Sequence, residues 1–408
     1  MQRKNFTGLA IAFITLALNY GSRGCFGLFL KPFAEQFGAS RAAISSILSV
    51  NMLTYCTMAF FTGYLVDRFG PKSILLAGAV LGTVSFIISS SATSLVQVTL
   101  SFGIIFGVAT TFLGQITSLS LMIKGRSEAD SLTLGLAGGG PGFGNLLLSP
   151  IMGAVITYAG WRSAMQGVGW LFLGYLILPL FFLQKDIKKS IPIQRKRDMN
   201  WGNMVSQKRN LLLLFASFLL MCTAIYGVLS QEAAYATDQG ISLTKAALAL
   251  GLISGIGVIA CPLLGWISDH VESKKKLGAL ILIIAMAGIF FIFIARSGLI
   301  LALGSIIVGT AYASYVPILP SITRNLFGND LFGRAWGFIS TGGSIGAALG
   351  SWLGGYVHDI RGNYHLVWLI FSLCFLTASV TLLLLDTDVI DRQNRFSQRS
   401  PILKSPHQ

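Results

Sequence analysis

Apolar residues run along this chain in long blocks, with short polar breaks between them. Twelve such blocks can be drawn: 6–33, 41–66, 72–91, 95–123, 129–157, 163–184, 210–236, 244–268, 276–295, 298–322, 335–357 and 365–385. Each is long enough for a helix to cross a hydrocarbon core, which takes roughly 20 residues. Lipid offers no partner for open backbone groups, so each block is expected to be a helix. Glycine and proline inside the blocks then mark close contacts and kinks.

The breaks carry a repeat. Gly63-Tyr-Leu-Val-Asp67-Arg68-Phe-Gly70-Pro-Lys72 lies between the second and third blocks. Gly265-Trp-Ile-Ser-Asp269-His270-Val-Glu272-Ser-Lys274 lies between the eighth and ninth. Gly38 and Ser40 precede the first copy as Gly240 and Ser242 precede the second. Gly38 to Gly240, Ser40 to Ser242, Gly63 to Gly265 and Asp67 to Asp269 are each 202 residues apart. A constant offset implies a doubled unit. The expected organisation is a bundle over 1–184, a basic linker over 185–209, a second bundle over 210–385 and a tail over 386–408.

Composition agrees with immersion in lipid. Charged residues make up 11% of the chain, hydrophobic residues 53%, and mean hydropathy is +0.71. A soluble chain of 408 residues could not cover its surface with so little charge. The first block is too long for a signal-peptide core and lacks a convincing cleavage site, so it reads as a first membrane helix. The five cysteines all fall inside apolar blocks without metal-ligand spacing, as small packing residues do.

The cations set an orientation. With both termini cytoplasmic, the cytoplasmic segments hold 23 of the 30 Lys and Arg. The outer segments hold Lys31, Arg41, Arg162, Lys245, Arg296 and Arg361. This follows the positive-inside rule and accounts for a net charge of +15 without a nucleic-acid partner. The eight cations over 185–209 suit a linker facing anionic lipid. The expected surroundings are the lipid bilayer of an inner or plasma membrane, a small-molecule substrate and a monomeric chain.

The loop Gly-x-Leu-x-Asp-Arg-x-Gly-x-Lys at 63–72 resembles the signature of the major facilitator superfamily. The copy at 265–274, with His270 in place of arginine, matches in part. The resemblance implies two pseudo-symmetric six-helix bundles in an all-α membrane protein, related by an axis along the membrane normal. It also implies that Gly63, Asp67, Arg68, Gly70, Lys72 and Asp269 form gating loops, with Asp67 and Arg68 joining the halves on the cytoplasmic side. Further stretches are similar to the branch of monocarboxylate transporters and oxalate–formate exchangers. They are Tyr20 to Pro32, Arg126 before a glycine-rich fifth block (Gly135 to Gly144), Gly160-Trp161-Arg162, and Tyr235 to Ser242. That branch implies proton symport or exchange of small carboxylates. The chain departs from it at Cys261, which aligns with a substrate-binding arginine, and in having no lysine in the eleventh block. A plain lactate or oxalate carrier is thereby put in question.

Ionisable groups within a membrane are costly and mark function. Arg23 is the single cation well inside a block, with Tyr20 and Asn19 on the same helix face. Glu232 is the single carboxylate well inside a block, toward the outer end of the seventh. Gln115, Tyr226, Tyr312 and Tyr315 add polar groups to the fourth, seventh and tenth. The resemblance implies that the first, fourth, seventh and tenth helices line a central cavity. Asn19, Tyr20, Arg23, Gln115, Tyr226, Tyr312 and Tyr315 are therefore the candidate substrate contacts, and Glu232 the candidate coupling group. The bland alternatives are an interfacial arginine, packing tyrosines and a glutamate in water at the outer mouth.

No Walker loop, paired carboxylate or Ser-His-Asp order is present, and no histidine lies well inside a block. Neither an enzyme nor a cofactor or metal is expected. A secondary transporter of a small anionic, monocarboxylate-like solute is the leading reading. A carrier of a siderophore or drug-like metabolite, and a solute sensor without flux, are the alternatives.

Overall fold

The computed structural model describes residues 2–123, 139–183, 207–315 and 317–386. These form an all-α membrane protein, with no strand among the described residues. Arg126, the glycines at 135 and 138, most of the basic run and nearly all of the tail lie outside them.

Ten helices are long and apolar enough to cross a membrane. Two features add crossings. Gly140–Phe182 turns back on itself at Gly160, whose φ of 80° is open to glycine alone at little strain. The helix Ile318–Arg361 turns likewise at Gly328, with φ of 70°. The tenth span thus ends at Gly328, and residues 329–361 form an eleventh. The described residues are thus consistent with twelve crossings at the places the apolar blocks indicate. The fifth is described from Gly140 onward.

Several spans are interrupted where they approach the centre. The first is helical over Gln2–Gly24, tightens to a 3₁₀ turn at Cys25–Phe29, and resumes over Leu30–Phe37. The fourth passes through a widened π-helical stretch, Thr99–Ile105, and breaks near Gly114 before restarting at Gln115. Local π and 3₁₀ stretches inside helices commonly mark functional positions.

Small residues allow close packing within each half. A Cβ on Gly144 would fall 1.9 Å from the carbonyl oxygen of Ala17, so the fifth and first spans touch at backbone distance. In the second half a Cβ on Gly346 would fall 2.1 Å from the carbonyl of Leu219, joining the eleventh and seventh. Both pairs are related by the 202-residue offset. Gly107 against Asn51 and Gly309 against Ile253 repeat it between the fourth and second, and the tenth and eighth. The doubling read from loop motifs is therefore a doubling of helix contacts.

Glycines also join the halves. Gly142 packs on Ser254 and Gly153 on Ala247, fifth span against eighth; Gly355 packs on the backbone of Arg41, eleventh against second. Gly27 lies against the carbonyl of Leu229, first against seventh. The glycines of the fifth and eleventh spans thus serve both the seam within a half and the seam between halves.

The two ends of the interface differ. At the end bearing Asp238, the halves are tied by charge. Asp238 meets Lys31 at 2.9 Å and Arg41 at 2.7 Å. Asp359 accepts from the backbone N–H of Arg41 at 3.0 Å and of Ala42 at 2.8 Å. Arg41 also donates to the Tyr364 hydroxyl. At the opposite end, bearing Asp67, no hydrogen bond or ion pair joins the halves among the described residues around the loops at 63–72 and 265–274. There Phe60, Tyr64, Ile259 and Trp266 are exposed.

Candidate functional site

A cavity of about 150 Å³ lies between the halves. Six of the seven candidate substrate contacts line it: Tyr20, Arg23, Gln115, Tyr226, Tyr312 and Tyr315. They come from four helices and span nearly 300 residues of sequence, so the grouping is a tertiary fact. A smaller space beside Arg23 is lined by Gly24, Leu48, Asn145 and Leu229 as well as by Tyr20, Tyr226 and Tyr312.

Arg23 sits in the last turn of the regular first helix, two residues before its 3₁₀ stretch. Its residue exposure is 5%. Its guanidinium stacks on Tyr20 at 4.7 Å and Tyr55 at 5.2 Å from the ring centroids. Such cation–π contacts position the group without neutralising it. It forms no ion pair among the described residues, and its Nη1 has no hydrogen-bond partner. Among the described residues no Asp, Glu, Lys or His lines the cavity, and the site presents one buried positive charge without a carboxylate beside it. Removing a charge from water is costly unless a partner is supplied.

The remaining lining is aromatic and small. Phe218 stacks near Trp336, with centroids 5.8 Å apart and planes at 27°, and near Tyr315 at 5.8 Å and 32°. Tyr312 meets Tyr315 edge-on at 5.6 Å. Ser340, Gly343, Ser344 and Ala347 of the eleventh span complete the wall, with Met52 and Tyr55 of the second. The expectation that the first, fourth, seventh and tenth spans carry the site is thus widened to include the second and eleventh. Ser340 and Ser344 are a polar pair four apart on one helix face; that spacing was the available signal.

Other candidates stand elsewhere. Asn19 does not line the cavity. It is fully buried and donates from Nδ2 to the Thr110 carbonyl at 3.0 Å, packing the first span against the fourth. Spacing placed it beside Arg23; the fourth span's spare carbonyl drew it aside. Glu232 is also absent from the cavity lining and is fully buried, not in water at an outer mouth. It accepts from Ser305 of the tenth span, while its Oε2 has no partner. Its neighbour Gln231 bridges the halves, donating to Ser45 at 2.9 Å. Cys261 is half-buried and also lies outside the lining.

The gating loops are asymmetric in use. Asp67 is exposed, and Arg68 reaches Tyr64 of its own helix at 3.1 Å. Asp269 meets Lys274 of its own half at 3.7 Å. Gly63 has open space around it, whereas Gly70 adopts φ of 84° and turns the chain into the third span. Lys72 donates to the Leu180 and Leu183 carbonyls at 3.2 and 2.6 Å, capping the sixth span. Lys275 does the same for Leu385 at 2.6 Å. A cation at a helix C-terminus satisfies open carbonyls and the dipole.

Two six-helix halves around a central cavity, repeated at a fixed offset, are matched by a known family. The family model of the Major Facilitator Superfamily covers residues 12–339 and 293–406. The chain belongs to the Major Facilitator Superfamily. It is 24% identical over 357 residues to the uncharacterized MFS-type transporter YcxA of Bacillus subtilis, covering 85% of this chain and 86% of YcxA. It is 25% identical over 372 residues to monocarboxylate transporter 13 of Bos taurus, covering 86% and 82%. The fold is also that of a crystallised mutant of the nucleoside transporter NupG. The TM-score is 0.77 at 12% identity, covering 93% of this chain and 99% of that one. This transporter is accordingly a multi-pass membrane protein and not an enzyme.

Proposed function

We propose that this transporter moves a small monoanionic carboxylate across an inner or plasma membrane by alternating access. The observation that carries the reading is Arg23, a buried cation facing a cavity that no acid lines among the described residues. A carboxylate can take two hydrogen bonds from a guanidinium fork and supply the missing charge. The monocarboxylate transporters among its relatives support the same class. A cavity of about 150 Å³ favours a small solute over a siderophore, since drug-sized ligands occupy roughly 300–1,000 Å³.

Both termini are placed in the cytoplasm, on the strength of the cation bias. The Asp238 end is then external and closed, and the Asp67 end internal and parted. Asp67 and Arg68 would draw the halves together in the opposite state. Glu232 is the proposed coupling group: an ionised carboxylate there would have no cation beside it, and a proton meets that need.

Flux of a radiolabelled monocarboxylate panel into proteoliposomes tests the reading. Saturable uptake by the wild type, lost in Arg23→Ala at equal reconstitution, is expected. Uptake that survives Arg23→Ala with wild-type KM would defeat it, as would saturable binding without flux.

A further inference from the structure

We infer that the substrate carries an aromatic ring as well as its carboxylate, the ring seated against Phe218, Tyr315 and Trp336 while Arg23 holds the anion. This deepens the proposed anion reading and rests on it. The lining divides by chemistry into two parts. Tyr20 and Tyr55 are engaged with the guanidinium, at 4.7 and 5.2 Å. Phe218, Tyr315 and Trp336 are not; Phe218 lies at 27° to Trp336 and 32° to Tyr315, and Trp336 stacks in turn on Phe332 at 4°. All three line the cavity, and an aromatic wall favours a ring, offset-stacked or edge-on, over an aliphatic chain.

Small residues make this possible. A Cβ on Gly343 would fall 2.5 Å from the Phe218 ring, so the glycine lets that ring pack close against the eleventh span. Ala347 and Gly343 leave the wall low, and the cavity volume of about 150 Å³ matches that of a dry protein cavity known to hold benzene. A short carboxylate such as acetate would satisfy Arg23 and leave the ring wall uncovered. A second charge on the ligand would find no partner among the described residues, since Arg23 is the one charged side chain of theirs that lines the space.

Isothermal titration of the purified full chain with acetate, cyclohexylacetate and phenylacetate isolates the ring at constant carboxylate. Phenylacetate should bind at least tenfold more tightly than acetate and at least threefold more tightly than cyclohexylacetate. Trp336→Leu and Phe218→Leu, which keep an apolar side chain but remove the ring, should each erase the preference over cyclohexylacetate. Equal or tighter binding of cyclohexylacetate by the wild type would overturn the inference, as would a preference that survives both Leu variants. Arg23→Ala separates the two levels. If it abolishes binding of acetate and phenylacetate while the wild type binds them equally, the anion reading stands and the ring fails. If phenylacetate binds Arg23→Ala as tightly as wild type, the anion reading itself fails.

Discussion

Arg41, at the start of the second span, holds Asp238, at the end of the seventh, across the junction of the two halves at 2.7 Å. Asp238 takes a second cation from the same half, Lys31. Asp359 caps the backbone of Arg41 and Ala42, so a carboxylate of one half sits at a helix N-terminus of the other. Nothing comparable joins the described residues of the two motif loops at the opposite end. Among the described residues the charged latch between the halves therefore lies at the Asp238 end.

Asp238→Asn should loosen the latched end. A partly exposed pair of this kind contributes about 1 kcal/mol at most, or roughly fivefold in the ratio of two states. A cysteine reporter at Ser49, which bonds the Ala348 carbonyl across the seam at 2.6 Å, reads the shift in an otherwise cysteine-free background. Impermeant maleimide added from the Asp238 side should label it several-fold faster in the variant. An unchanged labelling rate would show that Asp238 does not hold this state.

Asp67→Asn should act on the other limb of the cycle. Loss of a charge-assisted contact in the opposite state, about 1 kcal/mol, predicts turnover reduced several-fold with normal membrane insertion. Initial rates at saturating substrate in proteoliposomes measure it. A normally expressed variant with wild-type turnover would remove Asp67 from gating.

Arg23→Lys keeps the charge but not the planar fork. Charge-assisted hydrogen bonds are worth about 1.5–3 kcal/mol, so losing one predicts carboxylate affinity lower by roughly 10- to 150-fold. Thermal-shift titration of the two proteins against the same carboxylate gives the comparison. Equal midpoints at equal ligand would mean that charge alone suffices.

Glu232→Gln should separate coupling from movement. The amide keeps the size and can still meet Ser305, but it cannot carry a titrating proton. Uphill accumulation under a pH gradient should vanish while counterflow of labelled solute persists. Should the variant still concentrate solute as the wild type does, coupling lies elsewhere.

Gly144→Ala and Gly346→Ala should be alike, because each places a methyl within 1.9 or 2.1 Å of a carbonyl oxygen at symmetry-equivalent contacts. Overpacking of this kind costs about 1–3 kcal/mol, against no clash at Gly167, where a Cβ meets open space. Thermal unfolding in detergent should show both variants well below Gly167→Ala. A normal midpoint for either would mean that its helix pair can separate without loss.

Much of this architecture is legible in the chain itself. Lipid penalises charge and open backbone wherever they occur, so span positions follow from local composition alone. The same penalty makes Arg23, Glu232 and the tyrosines near them conspicuous. The 202-residue offset between Asp67 and Asp269 is equally local, and it foretells the equivalence of Gly144 and Gly346. What tertiary structure decided is the direction in which each side chain points. Asn19 shares a helical face with Arg23 yet turns to the Thr110 carbonyl, and Glu232 turns from solvent toward Ser305. Tyr55, Phe218 and Trp336 became site residues though aromatic side chains suit lipid, core and cavity equally. The latch of Arg41, Asp238 and Asp359 gathers three loop ends far apart in sequence. In a membrane helix every face is apolar, so hydrophobic periodicity carries little information about which face turns inward. That choice is made by close contact between helices from distant parts of the chain, and it exists only once both halves have packed.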